Sequence, residues 1–191
     1  MRTAADVERI LLSYLEVYIH TDLVFVKEAY EAARRQDAAA LEMLQDVCSA
    51  SKPARELHGA SVKTGRSLLL GVRNLYEGQP PEAYSDLLEP SLAYHYAVAY
   101  GMTAAMMELP PDEMLQTYLY SGLASLVSVA TRIMPLGQNE SQLMLFRLSR
   151  RINELAIDYG ALSLADVNTF APGMEIAAME HETIYTRLCM S

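Results

Sequence analysis

Residues 115–134 read LQTYLYSGLASLVSVATRIM, and the rhythm of their apolar side chains decides the fold class. Leu119, Leu123, Leu126, Ala130 and Ile133 step by four, three, four and three, so at about 100° per residue they share one face of an α-helix. Ser121, Ser125, Ser128 and Arg132 follow the same rhythm on the opposite side. A helix apolar on nearly every side, with a thin stripe of small hydroxyls, is expected at the centre of a bundle. The stripe has two readings. The serines let another backbone come close or line a narrow wet seam, or they simply bond back to carbonyls of their own helix. Polar residues interrupt the run too often for the ~18 uninterrupted apolar residues that mark a membrane span.

Helical signals continue on both sides of this segment. Thr3 with Asp6 resembles a capping box, followed by Val7, Ile10, Leu11, Tyr14 and Tyr18 at helical spacing. Fresh N-caps at His20-Thr21-Asp22 and at Asp37 predict helices over 23–35 and 38–50, and Ser51-Lys52-Pro53 punctuates them. A helix from Arg55, with Val62, Leu69, Val72 and Leu75 on one side, stops at Tyr76-Glu77-Gly78, where glycine permits a left-handed exit. Gln79-Pro80-Pro81-Glu82 and Leu109-Pro110-Pro111-Asp112 place prolines where helices begin and acids in their first turns, so they are expected to bracket one helical hairpin. Pro135 and Gly137 break the chain again. Helices are then expected over 141–159, briefly after Ser163, and over 174–187. The whole is read as all-α, a single compact helical bundle over residues 1–191.

Composition narrows the function. The 191 residues carry 24 acids against 15 bases, for a net charge of −9. That balance opposes nucleic acid or an anionic membrane as the main partner, since both select a basic surface. Met1-Arg2-Thr3 runs straight into Asp6 and Glu8, unlike a secretory leader, and a cytoplasmic location is expected. Cys48 and Cys189 are too far apart in sequence for a CxxC pair.

The motifs of common enzymes are missing. The chain has no GxxxxGK[ST], GxSxG or GxGxxG. His181-Glu182-Thr183-Ile184-Tyr185 opens like a zinc-protease HExxH helix, but Tyr185 stands where the second metal-binding histidine must be. A di-iron bundle needs Glu-x-x-His pairs, and none occurs. His20, His58, His95 and His181 are scattered singly, so neither a cofactor nor tight metal binding by one protomer is expected; symmetry could still bring two copies of one histidine together.

Two stretches carry more information than composition. SVATRIMPLGQNESQ, residues 128–142, resembles the UreF family of urease accessory proteins, in which a helix ending in a basic residue leads into a P-L-G-Q turn and a second Gln. FAPGMEIAAMEHETIYTRLCMS, residues 170–191, is similar to the tail of that family with its M-x-H-E-x-x-Y-x-R-L signature. HYAVAYG, residues 95–101, matches the family's His and closing Gly. Glu56-Leu57 with Gly65 fits its middle helix more loosely. There are departures. Family members begin with a further segment bearing a His-Ser-x-Gly-Leu-Glu-like motif, and this chain starts beyond it. His58 stands where Arg is common, and Ser141 where Gly often precedes the second Gln.

The resemblance implies a non-enzymatic chaperone or adaptor in nickel-dependent maturation of urease. It implies a homodimer that binds UreD (also called UreH), the GTPase UreG and the urease apoprotein. The residues alone also admit a helical scaffold or regulatory protein unrelated to nickel. Carried over position by position, the partner-binding candidates are Arg132, Gln138, Gln142, His181, Glu182, Tyr185 and Arg187. Each has a plainer reading. Arg132 could complement its helix dipole, worth about 0.3–1 kcal/mol at a surface, and the glutamines could satisfy turn amides. Glu182 could pair with Arg187 or Thr186, and Tyr185 could be core with a bonded hydroxyl.

Overall fold

The computed structural model describes residues 3–89, 92–155, 158–167 and 172–185. They form α1 (Ala4–His20), α2 (Asp22–Arg34), α3 (Ala38–Ala50), α4 (Arg55–Leu75), α5 (Tyr96–Met106), α6 (Pro111–Ile133), α7 (Gln138–Glu154) and α8 (Pro172–His181), and no strand appears among them. The all-α class holds. Local caps explain several boundaries: the amides of Asp6 and Thr3 donate to the partner's side chain, 3.2 Å each way, closing the capping box of α1. The Asp37 carboxylate likewise accepts from the Ala40 amide at 3.0 Å.

The centre of the bundle is the pair α2 and α5. Along α5 every residue from Ala97 to Met106 except Tyr100 is buried, as expected of a helix that is apolar all round. Its small residues let it come within backbone contact of α2. A Cβ on Gly101 would overlap the Val26 carbonyl oxygen and lie 2.9 Å from the Ala29 Cβ, so only glycine fits. On α4, Gly65 plays the same part against the backbone of residues 94–96, where a Cβ would overlap the Tyr94 carbonyl oxygen. Around this pair, Leu11 and Leu15 of α1, Phe25 of α2, Leu41 and Leu44 of α3, Leu69 of α4, Leu119 and Leu123 of α6, and Met144 and Leu148 of α7 join one apolar core. Cys48 is buried within it, and burial pushes its thiol up to about 12.

Three expectations are corrected. First, α6 is peripheral. Leu119, Leu123 and Val127 are buried, but Ser125 and Ser128 face solvent and Ile133 is 53% exposed. Ser121 combines the two readings of the stripe, its hydroxyl donating to the Tyr118 carbonyl at 2.9 Å and lying 3.3 Å from the Tyr96 hydroxyl of α5. The centre belongs to α5, which outcompetes α6 because its small side chains allow closer approach. Second, Pro80-Pro81 starts only the 3-10 turns Glu82–Tyr84 and Asp86–Leu88, because Pro90 follows after too few residues for a helix. Third, α7 begins at Gln138, with Gly137 before it, and ends at Glu154, while α8 ends at His181. No helix among the described residues is long and apolar enough to cross a membrane.

Candidate partner-binding site

The predicted site residues fall on two parts of the molecule. Arg132 lies exposed in the last turn of α6, and Met134-Pro135-Leu136-Gly137 turns the chain into α7. Gln138 and Gln142 sit exposed one helical turn apart at the start of α7. Their side chains make no hydrogen bond to the described residues, so they do not satisfy turn amides. Between them, Ser141 is buried and its hydroxyl donates to the Gln138 carbonyl at 2.8 Å.

The tail residues assemble elsewhere, at the start of α4. This helix follows Pro53-Ala54 and has no side-chain cap of its own. Glu182 supplies one from 126 positions away: its carboxylate accepts the Glu56 amide at 3.1 Å and lies 3.7 Å from the Arg55 guanidinium. A negative group at a helix N-terminus meets unpaired amides and the positive end of the macrodipole. Beside it, the His181 imidazole Nδ1 is 2.6 Å from the Glu56 carboxylate. Glu182 therefore pairs with Arg55 and the α4 amide within the described residues. Tyr185 is fully exposed, contrary to a core role. Arg187 lies outside the described residues.

The side of α8 toward the bundle carries the half-buried Met174, Glu175, Ala178 and His181, whereas Ile176 (56% exposed) and Met179, and Ile184 and Tyr185 just beyond the helix, are exposed. Met174 and Glu175, at the other end of α8, border a cavity of about 280 Å³ shared with α1, α4, α5 and α6. Asp22 anchors its wall, accepting from the Lys52 ammonium at 2.8 Å and from the Tyr118 hydroxyl at 3.1 Å. Burial, and then Asp22, raise the Tyr14, Tyr18 and Tyr118 hydroxyls above their ordinary range, so all three remain neutral donors. Nothing in the periodicity of the sequence points to this network, because Asp22, Lys52 and Tyr118 meet only in three dimensions.

The histidines also depart from expectation. His58 and His95 are not isolated: their rings meet edge to face at 4.7 Å, brought together where α4 crosses the start of α5 at Gly65. His95 is completely buried. Its Nε2 is 2.9 Å from the Ser49 hydroxyl, its amide donates to Gln45 at 2.7 Å, and its Nδ1 has no partner among the described residues. Burial, followed by the nearby His58 and Lys52, holds its imidazole down to about 4. Among the described residues no group of three or more His, Cys, Asp or Glu is placed to hold a metal ion.

The UreF family model matches residues 1–149. The chain belongs to the UreF family. A urease accessory protein UreF from Sporosarcina pasteurii is 32% identical over 187 residues, spanning 95% of this chain and 93% of the relative. Another UreF, from Azorhizobium caulinodans, is 34% identical over 170 residues, 89% of this chain and 72% of the relative. A third, from Bacillus sp. (strain TB-90), is 28% identical over 183 residues, 93% and 81% of the two chains. The UreF family match covers α1 to most of α7, and the S. pasteurii UreF extends the likeness over nearly the whole chain.

Proposed function

We propose that the protein is a non-enzymatic adaptor in nickel-dependent maturation of urease, a homodimer in the cytoplasm that binds UreD (UreH), recruits the GTPase UreG and so reaches the urease apoprotein. The observation that carries this reading is the exposed apolar surface of the tail. Helix α8 and the residues just after it leave Ile176, Met179, Ile184 and Tyr185 in water, the kind of apolar and aromatic surface that interfaces favour. Its anchorage supports the same view, since Glu182 and His181 fix the tail against α4 without burying those side chains. Arg132, Gln138 and Gln142, exposed at the turn between α6 and α7, form the second contact region of the reading. Family membership and the kinship to proteins named urease accessory protein UreF support urease maturation as the pathway.

The test is co-purification of UreD and UreG with wild type, Tyr185→Ala and Arg187→Ala, together with melting temperatures and light scattering. Wild type should scatter as about twice 21.2 kDa and retain both partners. Tyr185→Ala should melt within about 0.5 kcal/mol of wild type, as exposed substitutions usually do, and both variants should lose UreG. Full retention of UreG by both variants overturns the role assigned to the tail, and a wild type that retains neither partner overturns the adaptor reading itself.

A further inference from the structure

The tail signature puts His181 and Glu182 among the candidates for direct partner contact, yet both side chains are engaged by the first turn of α4. They meet there at one residue. Glu56 donates its amide to the Glu182 carboxylate at 3.1 Å and sets its own carboxylate 2.6 Å from the His181 Nδ1. All three side chains are half-buried. Contacts from two consecutive tail residues, one to the backbone and one to the side chain of Glu56, fix the rotation of the tail as well as its position, which a single contact would leave free. Glu56 and Glu182 bring two carboxylates to one helix end, offset by the α4 dipole, by Arg55 beside Glu182 and by the imidazole beside Glu56.

This anchorage is joined stiffly to the exposed residues beyond it. The Glu182 amide donates to the Ala178 carbonyl at 3.3 Å, that of Thr183 to Glu180 at 3.0 Å and that of Ile184 to His181 at 3.2 Å. Hydrogen-bonded backbone therefore runs from α8 through residues 181 and 182 to Ile184, and the fully exposed Tyr185 follows directly. An orientation imposed at His181 and Glu182 is passed on to Ile184 and Tyr185. Among the described helices, α8 packs on α4 more than on any other. A tail released from α4 would sample many orientations, and a partner would have to order it again on binding, at a cost in conformational entropy.

We propose that Glu56 is a positioning residue for the tail: it touches no partner itself, and through His181 and Glu182 it holds Ile184 and Tyr185 in the orientation that a partner meets. His181 and Glu182 are thereby reassigned from partner contact to internal anchorage. The inference deepens the adaptor reading and rests on it for the identity of the partner.

The test compares wild type, Glu56→Ala, Glu56→Gln, Ile184→Ala and the double variant Glu56→Ala/Ile184→Ala, by hydrogen exchange of the free protein and by affinity for UreG in the presence of UreD from the same source. Alanine keeps the α4 amide and a strong helix former but removes the acceptor for His181, whereas glutamine keeps an acceptor. Glu56→Ala should quicken exchange over residues 174–184 with α2 and α5 unchanged. It should weaken UreG binding by about fivefold or more, the size expected for losing a hydrogen bond to a charged group. Glu56→Gln should restore most of both. The double variant should lose less than the product of the two single losses, because Glu56 acts through the tail that Ile184 belongs to. Unchanged exchange in the tail of Glu56→Ala refutes the anchorage whatever the partners do, and exchange that rises in α2 and α5 as well makes Glu56 a residue of the fold and refutes it too. Faster tail exchange with unchanged affinity, or single losses that multiply independently, refutes the positioning role while the adaptor reading stands. A wild type that binds neither UreD nor UreG overturns both.

Discussion

Two short apolar helices, α5 and α8, are put to opposite uses. The eleven residues of α5 sink into the bundle because Gly101 and its neighbouring alanines let backbone meet backbone, so nearly every side chain is removed from water. The ten residues of α8 are anchored through Glu182 and His181, which hold it to the polar N-terminus of α4 and leave Ile176 and Met179 outside. Hydrophobic content alone does not decide burial. Close approach does, and Gly173 of α8 meets nothing within 4 Å where Gly101 of α5 meets the α2 backbone.

The comparison breaks most readily at Gly101. Gly101→Val should cost more than about 3 kcal/mol or prevent folding, because the new side chain must displace the α2 backbone rather than a flexible group. On exposed α6, Gly122→Ala meets nothing within 4 Å and should be neutral or stabilising by up to about 1 kcal/mol. Urea denaturation of both variants checks the pair, and equal stabilities would mean that the α2–α5 contact is wrong.

A smaller effect is expected at His95, beside the same seam. Its imidazole titrates near 4 when folded and near 6.5 when unfolded, so between those values the unfolded chain binds the extra proton. This contribution to stability is complete above pH 6.5 and is lost as pH falls towards 4, by a total on the order of 3 kcal/mol. Denaturation midpoints measured across that window should fall with acid, and His95→Gln should flatten the slope even if it lowers stability overall. An unchanged slope would place His95 in contact with water.

The smallest global effect belongs to the tail. Glu182→Gln keeps the shape but removes the charge that caps α4, at a cost of about 1 kcal/mol or less given its partial exposure. Hydrogen exchange should quicken in α8 while α2 and α5 stay protected. Loss of protection in α5 as well would show that the two helices are one cooperative unit.

Features set by neighbouring residues were legible before the structure. The Thr3 box and the Asp37 cap each depend on a few adjacent positions, and they fall where the pattern puts them. The family signatures at Pro135 and in the tail were legible for the same reason. What escaped were meetings across the chain. Nothing near Glu182 announces that it caps a helix beginning at Arg55, and nothing near His58 announces His95. The misplacement of α6 has a related cause: its wheel is apolar enough for the centre, and only the rival claim of α5, with smaller side chains, moves it outward. At the candidate site, the motifs named Gln138 and Gln142 but could not tell that both side chains remain unbonded among the described residues.

Cys48 offers an internal clock for these motions. At pH 7 a thiol titrating near 12 is thiolate in only about one molecule in 10⁵, and the folded core leaves a reagent no approach. An alkylating agent can therefore modify it at an appreciable rate only during openings that expose α3. The modification rate would time the breathing of the bundle without any introduced label, and whether a bound partner slows it would tell how far docking at the surface is felt inside.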